Sequence, residues 1–112
     1  MNADKIAEII AKVSGVSVEY AGSQVYSPLA FAGRDEYWKS KMVENANSEA
    51  GVIAIVTHDG EPLNGYFYWT YGTPEEAHKQ GLMWTAFRNA GLWFEAYGNW
   101  YSAIREKPNN GN

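Results

Sequence analysis

The sequence predicts a small single domain of the α+β class, with two or three helices packed on an antiparallel sheet. Three observations support this prediction. The chain has 112 residues, enough for one hydrophobic core, helix and strand signals follow one another along it, and aromatic residues make up 15% of it, which is unlike a disordered chain. We expect residues 1–106 to form the domain and residues 107–112 to form a flexible C-terminal tail.

The first half of the chain carries two helix signals and one strand signal. Isoleucine and valine recur at helical spacing from Asp4 to Val13 and predict a helix. Alternating apolar and polar residues over 16–20 predict a half-buried strand, and residues 22–28 are interpreted as a loop. A second helix is predicted over 34–47, because apolar residues recur there at every fourth position.

The predicted sheet is built around a hairpin of residues 52–57 and 66–71. The first segment is rich in β-branched residues and the second in aromatic residues, and both types favour strands. Asp59-Gly60 is typical of a two-residue hairpin turn. Pro62 cannot donate a hydrogen bond to a neighbouring strand, so a longer loop or a bulge near Asn64-Gly65 is an equal alternative.

The clearest local signal in the chain is Thr73-Pro74-Glu75-Glu76. It offers a threonine N-cap, a proline at the first helical position, and a glutamate three residues after the cap. A helix is therefore predicted from Pro74 to about Ala90, with Gly91 available to end it.

Residues 92–105 fit two structures. The segments 92–97 and 100–105 could form a second hairpin around Gly98-Asn99, or their apolar residues could lie on one face of a helix. A glycine costs a helix interior about 1 kcal/mol relative to alanine, and aromatic residues favour strands, so the hairpin is preferred.

Composition and motifs exclude several classes of function. The net charge is −4, with 9 basic and 13 acidic residues, which argues against a nucleic-acid interface that needs a basic face. The chain has no cysteine, so it has no disulfide or thiolate site, and this mildly favours a cytoplasmic location. No signal peptide or bilayer-spanning segment is visible. Phosphate-binding glycine loops and nucleophile motifs are missing, so we expect neither an enzyme nor a cofactor.

The two histidines are weak candidates for chemistry. His58 lies close to Asp59 and Glu61, but no spacing typical of zinc or calcium ligands occurs, so no metal site is predicted. We interpret His58 as a turn residue beside Glu61 on the neighbouring strand. His78 is expected on the surface of the predicted helix.

One short stretch resembles a known family. Ile10-Ala11-Lys12-Val13-Ser14-Gly15-Val16-Ser17, followed by Ala21 and Val25, resembles the helix-turn-helix of bacterial repressors, in which a Gly-Val-Ser turn precedes the recognition helix. The resemblance implies that Val18 and Glu19 begin a base-reading helix. The strand predicted over 16–20 is the competing interpretation.

Most aromatic residues lie between Tyr66 and Tyr101. Ordinary core packing explains many of them, but an exposed row could also anchor an interface or stack on a planar ligand. The preferred hypothesis is a small non-catalytic binding protein whose aromatic surface docks on and inhibits a partner protein, or binds a second copy, as viral and mobile-element accessory proteins do. The first alternative is a pocket that sequesters a nucleotide-like molecule, with an arginine at its anionic group. The second is a helix-turn-helix regulator. The candidate binding residues are Tyr66, Tyr68, Trp93, Tyr97, Trp100, Arg88 and Arg105.

Overall fold

The structure of the protein is a computed structural model, and it describes residues 3–44, 51–60, 62–68 and 71–106. Helices and strands follow one another along these residues. The predicted tail, residues 107–112, lies outside them. The elements are α1 (Ala3–Ser14), β1 (Val25–Tyr26), α2 (Pro28–Ala32), α3 (Glu36–Glu44), β2 (Val52–Thr57), a 3-10 helix (Asn64–Tyr66), α4 (Pro74–Asn89), β3 (Leu92–Ala96) and β4 (Tyr101–Glu106).

The four strands form one antiparallel sheet in the order β1-β2-β4-β3. The predicted α+β class with an antiparallel sheet is therefore confirmed. The long strands β2 and β4 lie at the centre of the sheet, and β1 and β3 are its two edges. The preferred hairpin over 92–105 is also confirmed, because β3 pairs with β4 from Leu92 opposite Glu106 to Ala96 opposite Ser102.

The hairpin predicted between 52–57 and 66–71 is wrong. β2 pairs instead with β4, which lies far along the chain. Backbone groups after Gly60 bond locally: Asn64 N–H donates to the Gly60 carbonyl, Tyr66 N–H to Leu63 and Tyr68 N–H to Asn64, at 3.0 to 3.1 Å. These local bonds use the groups that a strand ladder would need. Residues 69 and 70 lie outside the described residues.

Helices cover both faces of the sheet. α1, the 3-10 helix and α4 enclose the larger core, with Ile6, Ile10, Leu63, Phe67, Met83 and Phe87 packed on sheet residues. α2 and α3 cover the other face with Phe31 and Trp38. The described residues thus contain four α-helices, more than the two or three predicted. None of these helices is long and apolar enough to cross a membrane.

The helix predicted over 34–47 corresponds to α3, and its residues 45–47 lie outside the described part of the chain. α2 was not predicted. It begins within the segment interpreted as the loop 22–28, where β1 also lies. Both elements are very short, so neither contains enough residues for a recognisable hydrophobic period.

The strand predicted over 16–20 and the helix-turn-helix resemblance are both wrong. After α1, the chain makes a single helical turn capped by Ser17, whose hydroxyl accepts from Tyr20 N–H at 3.1 Å. Gly22, with φ of 74°, ends the turn, and Ser23 N–H donates back to the Val18 carbonyl at 2.9 Å. The chain then enters β1. One turn is too short to serve as a recognition helix in a DNA groove.

The predicted N-terminus of α4 is confirmed. The Thr73 hydroxyl accepts from Glu76 N–H at 3.1 Å, and the Glu76 carboxylate accepts from Thr73 N–H at 3.3 Å. The same carboxylate also accepts from Tyr71 N–H at 2.9 Å, so it holds the chain that leads into the helix. This cap positions α4, which forms one wall of the site described below.

Replacing the cap, Thr73→Ala, is expected to lower the free energy of unfolding by about 1 kcal/mol, because an N-terminal amide loses its acceptor. Urea unfolding followed by circular dichroism measures the loss. The control is Thr85→Ala, the same change at an exposed position inside α4, which should leave stability equal or slightly higher since alanine favours helices. An equal loss in both variants would show that the cap contributes nothing.

Candidate functional site

An open aromatic cleft lies between α4 and the edge strand β3. It encloses about 520 Å³, a size typical of small-molecule and side-chain binding sites. Its lining residues come from three segments of the chain and are Phe67, Tyr68, Gln80, Trp84, Trp93, Phe94, Glu95 and Ala96. We call it the edge cleft.

Aromatic contacts hold the floor of the edge cleft in place. The rings of Trp84 and Phe94 are stacked, with centroids 4.3 Å apart and planes inclined by 21°. Phe67 meets Phe94 edge-on at 4.9 Å. Phe67 and Phe94 are buried, whereas Trp84 keeps 40% of its surface exposed. The floor is therefore anchored in the core, and its outer ring remains accessible to a ligand.

The edge cleft runs along the open side of the sheet. Four consecutive residues of β3, 93–96, line it, although successive side chains of a strand point to opposite faces. A cleft over only one face could not reach all four. It must therefore also pass over the backbone of β3, which is the outermost strand.

The hydrogen-bond pattern of β3 shows which backbone groups face this cleft. Tyr97 N–H donates to the Tyr101 carbonyl at 3.0 Å, and bonded pairs alternate along an antiparallel ladder. Trp93 and Glu95 therefore bond to β4, whereas the N–H and C=O groups of Phe94 and Ala96 point away from the sheet. No strand within the described residues pairs with this outer side of β3.

The charged groups near the edge cleft are arranged around Arg105. Its Nη2 lies 3.4 Å from Oε1 of Glu95 and donates to the Tyr97 hydroxyl at 2.7 Å. Its guanidinium also lies 5.6 Å from the centre of the Trp93 ring. The Arg105 side chain is only 12% exposed and that of Glu95 is 46% exposed. The accessible charge among the described lining residues is therefore the carboxylate of Glu95.

The structure places the seven predicted binding residues in several locations. Tyr68 and Trp93 line the edge cleft, and Arg105 lies beside it through its contacts with Trp93 and Glu95. Tyr66 is half-buried, with the Lys79 ammonium 5.5 Å from its ring centre.

The other three candidates lie elsewhere. Tyr97 packs its ring between Trp38 and Tyr101 on the second face of the sheet, although its hydroxyl accepts from Arg105 beside the cleft. Trp100 lies in the β3–β4 turn against Tyr101, with its ring 38% exposed. Arg88 is exposed in the last turn of α4 and does not line the edge cleft. The seven residues therefore do not form one surface.

The candidate binding residues did not include six of the lining residues, which are Phe67, Gln80, Trp84, Phe94, Glu95 and Ala96. One signal for them was present. Gln80 and Trp84 are four residues apart on the helix predicted from Pro74, so they share a face, and a large aromatic residue beside a polar one on a helix indicates a partly exposed contact surface.

His58 was predicted as a turn residue of the hairpin, but that hairpin does not form and His58 is buried. It follows β2 directly, and its ring is stacked on Phe67 with centroids 5.1 Å apart. Its Nε2 lies 2.8 Å from the Ser102 hydroxyl, and its Nδ1 lies 3.3 Å from Nδ2 of Asn64. Its predicted neighbour Glu61 lies outside the described residues. The Ser102 hydroxyl, the His58 imidazole and the Asn64 amide thus lie in the same order as a serine nucleophile, its general base and the group that orients the base.

Hydrogen bonds to the backbone hold this cluster in place. Nδ2 of Asn64 donates to the backbone carbonyls of His58 and Asn99, which fixes the orientation of the amide. Nδ1 of His58 faces the same amide nitrogen, and Nε2 shares a hydrogen bond with the Ser102 hydroxyl in which either group can donate. Burial lowers the pKa of His58 to about 4, so the ring is neutral at pH 7.

His78 is exposed on α4, as predicted. No group of three or more histidine, aspartate or glutamate side chains within the described residues could hold a metal ion. Comparison with known proteins finds no match to this chain among protein-family models, curated proteins or solved structures.

Proposed function

We propose that this protein is a binding protein that docks on a partner protein through the edge cleft. One observation carries the proposal: five aromatic residues surround an open cleft of about 520 Å³ at the edge of the sheet. Tryptophan and tyrosine dominate the binding energy of protein interfaces, because a single ring covers a large apolar area with little loss of conformational entropy. The bound protein occludes a surface of its partner and thereby inhibits it.

The charges favour a protein segment over a nucleotide. A phosphate in the edge cleft would meet the exposed carboxylate of Glu95, and the nearest arginine, Arg105, is already paired with that carboxylate. The other predicted anion-binding residue, Arg88, lies outside the cleft. The net charge of −4 likewise favours a basic partner. We therefore propose that an apolar or aromatic side chain of the partner fills the cleft.

Trp84→Ala is expected to weaken partner binding about tenfold or more, because it removes the exposed ring of the cleft. A random peptide library displayed on phage is selected on the wild-type protein, and the affinities of the enriched peptides are then measured by fluorescence polarisation. Circular dichroism confirms that the variant is folded, as expected for a residue with 40% of its surface exposed.

The matched control is Trp100→Ala. Trp100 has a similar exposed fraction, 38%, but packs on Tyr101 away from the edge cleft. Peptides that dock in the cleft should bind this variant as tightly as the wild type. If the library yields no peptide whose binding depends on Trp84, the proposed function is wrong.

A further inference from the structure

We propose that the edge cleft is a strand-addition site, in which an extended segment of the partner pairs with the outer side of β3 and becomes the fifth strand of the sheet. This inference rests on the proposed function and specifies how the partner is recognised. In strand addition, main-chain hydrogen bonds supply affinity, and pockets for alternate side chains supply specificity.

The backbone of β3 provides the first half of such a site. The bonding pattern of β3 with β4 directs the N–H and C=O groups of Phe94 and Ala96 outward. Both residues also line the edge cleft. A strand placed in the cleft would therefore find donors and acceptors at the two-residue spacing that an antiparallel or parallel neighbour requires.

The side chains provide the second half, because they differ between the two faces. Phe94 faces α4 and contacts Trp84 of that helix, and it also contacts Phe67, which follows the 3-10 helix. Glu95 faces the opposite side, beside Trp93 and Arg105. A bound strand would place alternate side chains against these two environments. Its residues facing α4 should be aromatic or aliphatic.

The charge of the site determines the chemistry on the other face of the bound strand. The carboxylate of Glu95 contacts Arg105 through Oε1, yet the Glu95 side chain is still 46% exposed at this edge, and the whole chain carries a net charge of −4. A lysine or arginine in the bound segment would lie opposite this carboxylate. The occupant is therefore a short basic segment of a partner protein. A second copy of this chain is disfavoured, since it would bring another net charge of −4 and a second Glu95 to the same edge.

The test replaces backbone N–H groups one at a time. Peptides selected on the edge cleft, whose binding requires Trp84, are resynthesised with a single N-methyl group at each successive position and titrated against the wild-type protein. Strand addition predicts an alternating pattern, in which methylation weakens binding about tenfold or more at every second residue and has little effect between.

The protein side is tested with Ala96→Pro, which removes an outward N–H without removing a bond to β4. The variant should bind the peptides about tenfold or more weakly, whereas Ala96→Ser, which keeps the N–H, should bind them normally.

Methylation effects without an alternating pattern would overturn strand addition while leaving the docking function standing. A dimer of the free protein in sedimentation, dissociated by Ala96→Pro, would overturn the assignment of this edge to a partner. Failure to select any peptide dependent on Trp84 would instead contradict the proposed function itself.

Discussion

Acidification from about pH 7 to about pH 4 is expected to remove about 3 kcal/mol of unfolding free energy through His58 alone. Burial lowers the pKa of the folded protein's His58 from 6.5 to about 4. Between these two values the unfolded chain binds a proton at His58 and the folded protein does not, so the proton favours unfolding. The contribution of His58 is fully present above about pH 6.5 and is lost as the pH falls toward 4.

Urea unfolding of the wild type and of His58→Gln at a series of pH values isolates this contribution, because the two proteins differ only at His58. The wild type should be the more stable at neutral pH, since glutamine cannot reproduce the bonds to Ser102 and Asn64. The stability difference between the two proteins should narrow by about 3 kcal/mol toward pH 4.

The matched control is His78→Gln, which changes the exposed histidine of α4. The stability of this variant should depend on pH as that of the wild type does, because the buried His58 is unchanged in it. Parallel pH curves for the wild type and His58→Gln would show that folding does not lower the pKa of His58.

The elements that were predicted correctly depend on interactions between residues close together in the sequence. The cap at Thr73 and Glu76 depends only on neighbouring residues, and the structure shows both of its hydrogen bonds. The β-branched run of β2 depends on side-chain shape, and its bounds, Val52–Thr57, agree with the prediction. The turn at Gly98 has φ of 143°, which favours glycine and separates β3 from β4.

Strand pairing was predicted less well because it is not local. The sequence offered 66–71 as the nearest aromatic partner for β2, but β4 pairs with β2 and buries Ala103 and Ile104 beside it. Asn64 shows why β2 does not form a hairpin with the nearer segment 66–71. Its side chain enters the buried His58 cluster, and its backbone begins a 3-10 helix. No pattern in the residues around Asn64 reveals a hydrogen-bond partner such as Asn99, which comes from a distant turn.

The candidate site was predicted in part for the same reason. The aromatic density after Tyr66 indicated a contact surface, and Tyr68 and Trp93 do line the edge cleft. The cleft itself depends on how α4 crosses the edge of the sheet, which brings Trp84 onto Phe94. That contact joins α4 to β3. The position of β3 in the sheet could not be predicted, so the sequence could not identify Trp84 and Phe94 as a contacting pair.

Trp38→Ala is expected to lower the free energy of unfolding by about 3–5 kcal/mol, which corresponds to a fall in melting temperature of roughly 10–20 °C. The Trp38 side chain is fully buried between α3 and the sheet. Its ring contacts Phe31 edge-on at 6.2 Å and Tyr97 at 5.7 Å. Alanine would leave a large cavity in the smaller core, which has few other side chains to fill it. Thermal unfolding followed by circular dichroism measures the change.

Trp38→Phe separates the volume of this side chain from its polar atom. Within the described residues, the buried indole Nε1 of Trp38 has no hydrogen-bond partner, so phenylalanine loses no bond and leaves a smaller cavity. The Phe variant should therefore retain most of the stability that the Ala variant loses. Trp38 also contacts Tyr97, whose hydroxyl accepts a hydrogen bond from Arg105 beside the edge cleft. The Ala variant should consequently bind cleft peptides more weakly even below its melting temperature. Equal losses of stability in both variants would show that the cavity does not determine the effect.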